Sequence, residues 1–76
     1  MIEGVLKLES TKRWAIYPKG DEYPFEITSG EVFELFLDGQ WKSTRMESSL
    51  GAYYSVDGFQ LEEGMRARYI GRTYQS

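Results

Sequence analysis

The dipeptide Asp38-Gly39 separates two runs of apolar and β-favouring residues in the segment VFELFLDGQWKSTRM, residues 32–46. A two-residue β-hairpin turn needs a positive φ at both central positions, and aspartate followed by glycine tolerates that conformation best. Such a turn also sets the register of the two strands that it joins. The predicted cross-strand pairs are Leu37–Gln40, Phe36–Trp41, Leu35–Lys42 and Phe33–Thr44. In so short a chain, this hairpin predicts a β-sheet domain.

The remainder of the chain favours the same class. Turn-forming residues interrupt it about every ten to fifteen residues, and no window shows the three-and-four spacing of an amphipathic helix. Further strand candidates are residues 2–8, 13–17, 52–56 and 65–70, while Pro24 makes residues 23–28 an edge strand or an extended segment. We therefore predict an all-β protein, a small five- to six-stranded SH3-like barrel that forms one domain over residues 1–76.

The composition excludes most catalytic chemistry. The chain has no cysteine and no histidine, so it lacks disulfides, the commonest metal ligands and the usual acid–base group near neutral pH. Adjacent carboxylates at residues 21–22 and 62–63 fall in predicted loops, and no glycine-rich phosphate loop is present. We expect no enzymatic activity and no cofactor. Nothing resembles a signal peptide or a membrane span, so we expect a cytoplasmic protein with no membrane contact.

Charge is distributed unevenly along the chain, whose formal net charge is −3. Residues 1–20 carry four basic and two acidic side chains, residues 21–64 two basic and ten acidic, and residues 65–76 three basic and none acidic. If the first and last strands are neighbours, the two basic ends would form one positive face opposite an acidic one. The alternative is ordinary, dispersed surface charge.

The acidic and aromatic residues of the middle segment are the first candidate site. Large rings on both faces of the central hairpin and on a later strand can form an aromatic groove, or they can simply fill the core. Together with nearby carboxylates they would suit a protein partner. The candidate protein-binding residues are Glu26, Glu31, Glu34, Phe36, Trp41 and Tyr54.

The basic end of the chain is the alternative site. Arg66, Arg68 and Arg72, near Tyr69, are spaced so that at least two project from one side of the last strand, within reach of phosphates. The same arginines also suit the solvated face of an edge strand, where charge prevents aggregation. A net acidic chain is at a disadvantage on nucleic acid.

The segment SGEVFELFLDGQWKSTRME, residues 29–47, resembles a numbered family of small proteins of unknown function, found largely on plasmids and mobile elements of Gram-positive bacteria. Similar family features are RWAI at 13–16, the pair Tyr53-Tyr54, and LEEGMRAR at 61–68. The resemblance implies no activity. The hairpin is also similar to those of SH3-like barrels, which implies architecture alone.

We therefore expect a small non-enzymatic accessory protein of a mobile element or phage that binds another protein as an adaptor or inhibitor. The alternative is a nucleic-acid-binding barrel that uses the arginines. A domain with so small a core is expected to be a monomer or a weak homodimer formed through edge strands.

Overall fold

The computed structural model describes residues 1–20 and 23–71, and this part of the chain is built from β-strands without a helix. The strands are β1 (Ile2–Leu8), β2 (Trp14–Pro18), β3 (Phe25–Glu26), β4 (Val32–Leu37), β5 (Gln40–Ser49), β6 (Ala52–Ser55) and β7 (Arg66–Tyr69). All neighbouring strands are antiparallel, in the order β3-β2-β1-β7-β4-β5-β6, and the sheet curls into a half-barrel.

The all-β class is confirmed, but the strand count of five or six is wrong. The described residues contain seven strands because the segment around Pro24 does form a short edge strand, with Phe25 opposite Ile16. Proline has no amide hydrogen to donate, so the strand begins only after it and pairs on one side.

The β4–β5 hairpin has the predicted register, with Phe36 opposite Trp41 and Phe33 opposite Thr44. Its turn residues have φ values of 52° at Asp38 and 77° at Gly39, the positive pair that a type I′ turn requires. The register is confirmed because one turn geometry determines every pair along both strands.

The core lies on the concave face of the sheet, where successive inward side chains of the strands meet. Its buried members are Leu6, Ile16, Ile27, Phe33, Leu35, Met46 and Ala67. The long connection from β6 to β7 contributes the partly buried Phe59 and Leu61 to the same cluster. This loop supplies apolar area that a sheet of short strands lacks.

One buried polar contact ties β6 to the core. The hydroxyls of Thr44 and Ser55 are 2.7 Å apart, and both side chains are buried. Each hydroxyl satisfies the other, so neither is left without a hydrogen-bond partner in the apolar interior.

Gly4 marks the closest approach of two strands. A Cβ atom at this position would lie 2.0 Å from the carbonyl oxygen of Tyr17 and 2.8 Å from Cα of Pro18. Because the obstructing atoms belong to the backbone, a side chain can be admitted only if β1 and β2 move apart.

Gly4→Ala is therefore expected to destabilise the fold by about 3 kcal/mol, at the upper end of overpacking costs. Urea unfolding followed by tryptophan fluorescence measures this change. Lys7→Ala, at an exposed position of the same strand, is the control and should shift stability by less than about 1 kcal/mol. Equal midpoints for the two variants would contradict the close packing at Gly4.

Thr44→Val should cost about 1–3 kcal/mol because it leaves the buried Ser55 hydroxyl without a partner. The double variant Thr44→Val/Ser55→Ala removes both polar groups and should recover part of that loss. Thermal unfolding of the wild type, the single variants and the double variant tests this. A double variant less stable than either single variant would refute the proposed pairing.

Candidate functional site

Strand β7 brings Arg66 and Arg68 between β1 and β4. Arg68 lies directly between Glu3 of β1 and Glu34 of β4, and Arg66 lies opposite Val5. The intervening residue of β7, Ala67, faces the core, so both arginines project from the convex, outer face.

Both arginines form ion pairs on this face. Nε of Arg68 is 2.5 Å from Oε1 of Glu34, and each side chain is less than a quarter exposed. Nη2 of Arg66 is 3.1 Å from Oε2 of Glu3, with about half of each side chain exposed. The first pair is partly desolvated and directional, whereas the second is open to water.

Two aromatic rings complete the arrangement. The rings of Phe36 and Trp41 meet across the hairpin with centroids 5.1 Å apart. The guanidinium of Arg68 lies 4.1 Å from the Trp41 centroid, and that of Arg66 lies 4.5 Å from the Phe36 centroid and 5.4 Å from Trp41. We call this group of side chains the arginine–aromatic face: Glu3, Glu34, Phe36, Trp41, Arg66 and Arg68.

The face combines residues that sequence reasoning assigned to two different sites. Glu34, Phe36 and Trp41 belong to the predicted protein-binding set, and Arg66 and Arg68 to the predicted nucleic-acid-binding set. The first and last described strands are neighbours, and a carboxylate lies beside each arginine of β7, which agrees with the alternative of dispersed surface charge. Carboxylates flank the arginines because β1 and β4 each place a glutamate beside β7.

The other predicted protein-binding residues lie elsewhere. Glu26 is on the edge strand β3. Glu31 accepts hydrogen bonds from the backbone amide and hydroxyl of Thr28, so it stabilises a turn. Tyr54 is on β6 and is 45% exposed. Arg72 lies outside the described residues.

A shallow groove of about 220 Å³ adjoins the arginine–aromatic face. Glu34 belongs to both, and the exposed Val32 and Ile70 give the groove an apolar rim. The sequence pattern assigned neither these two residues nor Glu3 to a site. Alternation along β1 and β4 could have placed Glu3 and Val32 on the outer face, but only the pairing of both strands with β7 brings these two residues to the same region.

A separate polar contact occupies the outer face of β1 and β2. The hydroxyl of Tyr17 donates a hydrogen bond to the carboxylate of Glu9. That hydrogen bond, together with lesser effects of burial and nearby carboxylates, raises the pKa of Tyr17 because each disfavours the phenolate. Nζ of Lys7 lies 5.0 Å from the ring centroid. The contact fixes the β1–β2 connection and presents no reactive group.

Within residues 1–20 and 23–71, no group of three or more acidic side chains is placed to hold a metal ion. The same residues contain no helix long and apolar enough to cross a membrane.

The two ion pairs should differ in strength. A double-mutant cycle on Arg68→Ala and Glu34→Ala is expected to give a coupling energy of about 1–2 kcal/mol. The cycle on Arg66→Ala and Glu3→Ala should give less than about 0.5 kcal/mol, because water screens exposed charges. Urea unfolding in low and high salt measures both. Equal couplings would show that desolvation does not distinguish the pairs.

Comparisons with known proteins locate the chain in a family. Residues 4–69 match the domain of unknown function DUF5348, a span that includes all of β2 to β7 and most of β1. No curated protein and no solved structure matches the chain. The resemblance to a family of small domains without an assigned function is thereby confirmed, and the chain belongs to the DUF5348 family.

Proposed function

We propose that this protein is a non-enzymatic, protein-binding accessory module and that the arginine–aromatic face is its docking surface. The observation that carries the proposal is the contact of Trp41 with the guanidinium groups of both Arg66 and Arg68 on an open face of the sheet. Tryptophan and arginine are the residues most enriched among those that dominate the binding energy of protein interfaces.

The geometry supports this role because the side chains are held in place before binding. Arg68 is fixed by Glu34 on one side and by the Trp41 ring on another, so little rotamer entropy is left to lose when a partner binds. The adjoining groove, with Val32 and Ile70 at its rim, can accommodate an apolar side chain of the partner. The expected partner is a protein with an apolar anchor and charges of both signs.

Nucleic-acid binding through the same arginines is the weaker alternative. A phosphate would have to compete with Glu34 for Arg68 and with Glu3 for Arg66. The two carboxylates would also repel a polyanion. Arg66 is the more exposed of the two arginines, so any phosphate contact would begin there.

The biological setting that we propose is a plasmid, another mobile element or a phage of a Gram-positive bacterium, where the module serves as an adaptor or inhibitor. The resemblance of residues 29–47 to small proteins of such elements supports this setting. The central hairpin and the curled sheet support an SH3-like arrangement, a fold class in which aromatic grooves bind proteins.

Affinity purification from the native host, with nuclease treatment and cross-linking, identifies the partner. The binding is then measured between purified proteins. Trp41→Ala should weaken it by about 30-fold or more, as expected for a central tryptophan. Tyr23→Ala is the matched aromatic control, because Tyr23 is 90% exposed in a loop away from this face, and it should leave the affinity unchanged.

A charge swap separates the two candidate functions. Glu3→Arg/Arg66→Glu retains an ion pair of the same type but inverts its polarity on the surface. The swap also removes the Arg66 guanidinium from the Phe36 and Trp41 rings, so the melting temperature should fall slightly, whereas a protein interface that uses this pair should lose most of its affinity while the domain remains folded. If nucleic acid co-purifies, is lost on raising the salt and depends on Arg66, the protein-binding proposal is wrong.

A further inference from the structure

A second concave surface lies where two hairpin turns meet. The β1–β2 turn and the β5–β6 turn approach each other and border an open groove of about 280 Å³. Its lining combines apolar and polar surface, and the groove lies between the first residues of β6 and the β1–β2 turn. The lining residues are Leu8, Lys12, Trp14, Leu50, Gly51, Ala52 and Tyr53.

The backbone is strained at both turns. Among the described residues, three that are not glycine have a positive φ: Asp38 in the central hairpin, Lys12 at 75° and Leu50 at 54°. Asparagine, aspartate and glycine tolerate this conformation, whereas leucine and lysine do not favour it. Leu50 is also fully exposed to solvent. An apolar side chain held in water on a strained backbone is costly for the isolated domain and is typical of a functional position.

The groove has a positive rim. Lys12, which lines the groove, forms no ion pair with any described residue, and the guanidinium of the neighbouring Arg13 lies 5.2 Å from the ring centroid of Tyr53, a lining residue. Among the described residues no carboxylate lines the groove, and that of Glu63 accepts a hydrogen bond from the backbone amide of Leu8 at its border. This contrasts with the arginine–aromatic face, where each cation already has a carboxylate partner. The groove thus offers a partly apolar wall and the cation of Lys12, with Arg13 next to it in the chain, to a ligand of opposite charge.

The edge of β6 that does not pair with β5 is the second feature of this region. Among the described strands, β6 pairs with β5 alone and lies at the end of the sheet. It belongs to residues 48–56, SSLGAYYSV, the longest uncharged run of the chain. The opposite edge strand, β3, has only two residues and follows a proline, so it is protected from pairing. Exposed edges usually carry charge, proline or a bulge, and β6 has neither charge nor proline.

We infer that β6 accepts an extended segment of a partner protein in which apolar and acidic residues alternate. The added strand would pair with the free edge of β6, place an apolar side chain in the groove, and direct carboxylates towards Lys12 and Arg13. Backbone pairing with pockets for alternate side chains is an established mode of peptide recognition. A second copy of β6 does not fit this role, because its uncharged sequence offers no carboxylate to the two cations. This inference concerns a different surface from the proposed function.

The probe is a soluble peptide that alternates aspartate and isoleucine, labelled for fluorescence anisotropy. A peptide alternating lysine and isoleucine is the charge control, and one alternating aspartate and glycine is the apolar control. Only the aspartate–isoleucine peptide should bind, and less tightly as salt is added. In amide-resolved NMR titrations, the largest shifts should fall on β6 and on Lys12, whereas residues of the arginine–aromatic face should not respond.

Two variants test the groove itself. Leu50→Asn keeps a residue that tolerates a positive φ but removes the apolar contact, so it should weaken binding about tenfold without lowering stability. Lys12→Glu should also weaken binding about tenfold, since it replaces attraction by repulsion. The matched control, Lys42→Glu, reverses a charge on the central hairpin and should bind as the wild type does.

Equal binding of all three peptides, unchanged affinity of both groove variants, or shifts confined to the arginine–aromatic face would overturn the inference. Analytical ultracentrifugation supplies a further check. A concentration-dependent dimer that Leu50→Asn abolishes would identify a second copy as the occupant and would also overturn it. None of these outcomes depends on Trp41, so the result is separate from the test of the proposed function.

Discussion

The insertion of β7 between β1 and β4 is the constraint on which the rest of the structure depends. The last described strand joins the N-terminal hairpin to the central one, so it converts two local units into one sheet. Its central residue, Ala67, lies between Gly4 and Leu35 on the concave face and is fully buried. Gly4, which has no side chain, and Ala67, which has only a methyl group, leave room for the sheet to curl over the core.

The same insertion creates the arginine–aromatic face. Because successive residues of a strand point to opposite faces, the burial of Ala67 forces both Arg66 and Arg68 outward. There they meet a glutamate on each neighbouring strand and the rings of the central hairpin. The core contact and the surface network are therefore two consequences of a single register. A slip of β7 by one residue would expose Ala67 and bury a charged arginine.

The basic side chains on the surface fall into two groups, those that are paired with carboxylates and those that are not. On the arginine–aromatic face, cations are neutralised within the molecule and held rigidly by the rings. Around the β5–β6 turn, Lys12 and Arg13 form no ion pair with any described residue and lie beside a partly apolar groove. A face whose cations are held in place and paired with carboxylates suits a protein surface that carries both charges. A groove beside cations that form no ion pair suits an acidic segment. Overall net charge, which is −3, indicates neither feature.

The sequence by itself determined the local structure of this protein. The Asp38-Gly39 turn defined the central hairpin pair by pair, because one turn geometry sets the register of both strands. Alternation likewise indicated which side of each hairpin strand is buried, and Pro24 indicated an edge. These are short-range effects of backbone geometry and of side-chain period.

Only the tertiary structure decided how those units combine. No local signal pairs residues more than sixty positions apart, such as Glu3 with Arg66, or shows that Glu31 serves a turn while Glu34 joins the outer network. Charges that are separated along the chain do not stay separated in the fold, because antiparallel pairing places distant segments side by side. Which charges neutralise one another, and which face a partner, follows from strand order, and strand order is set by the packing of the whole core.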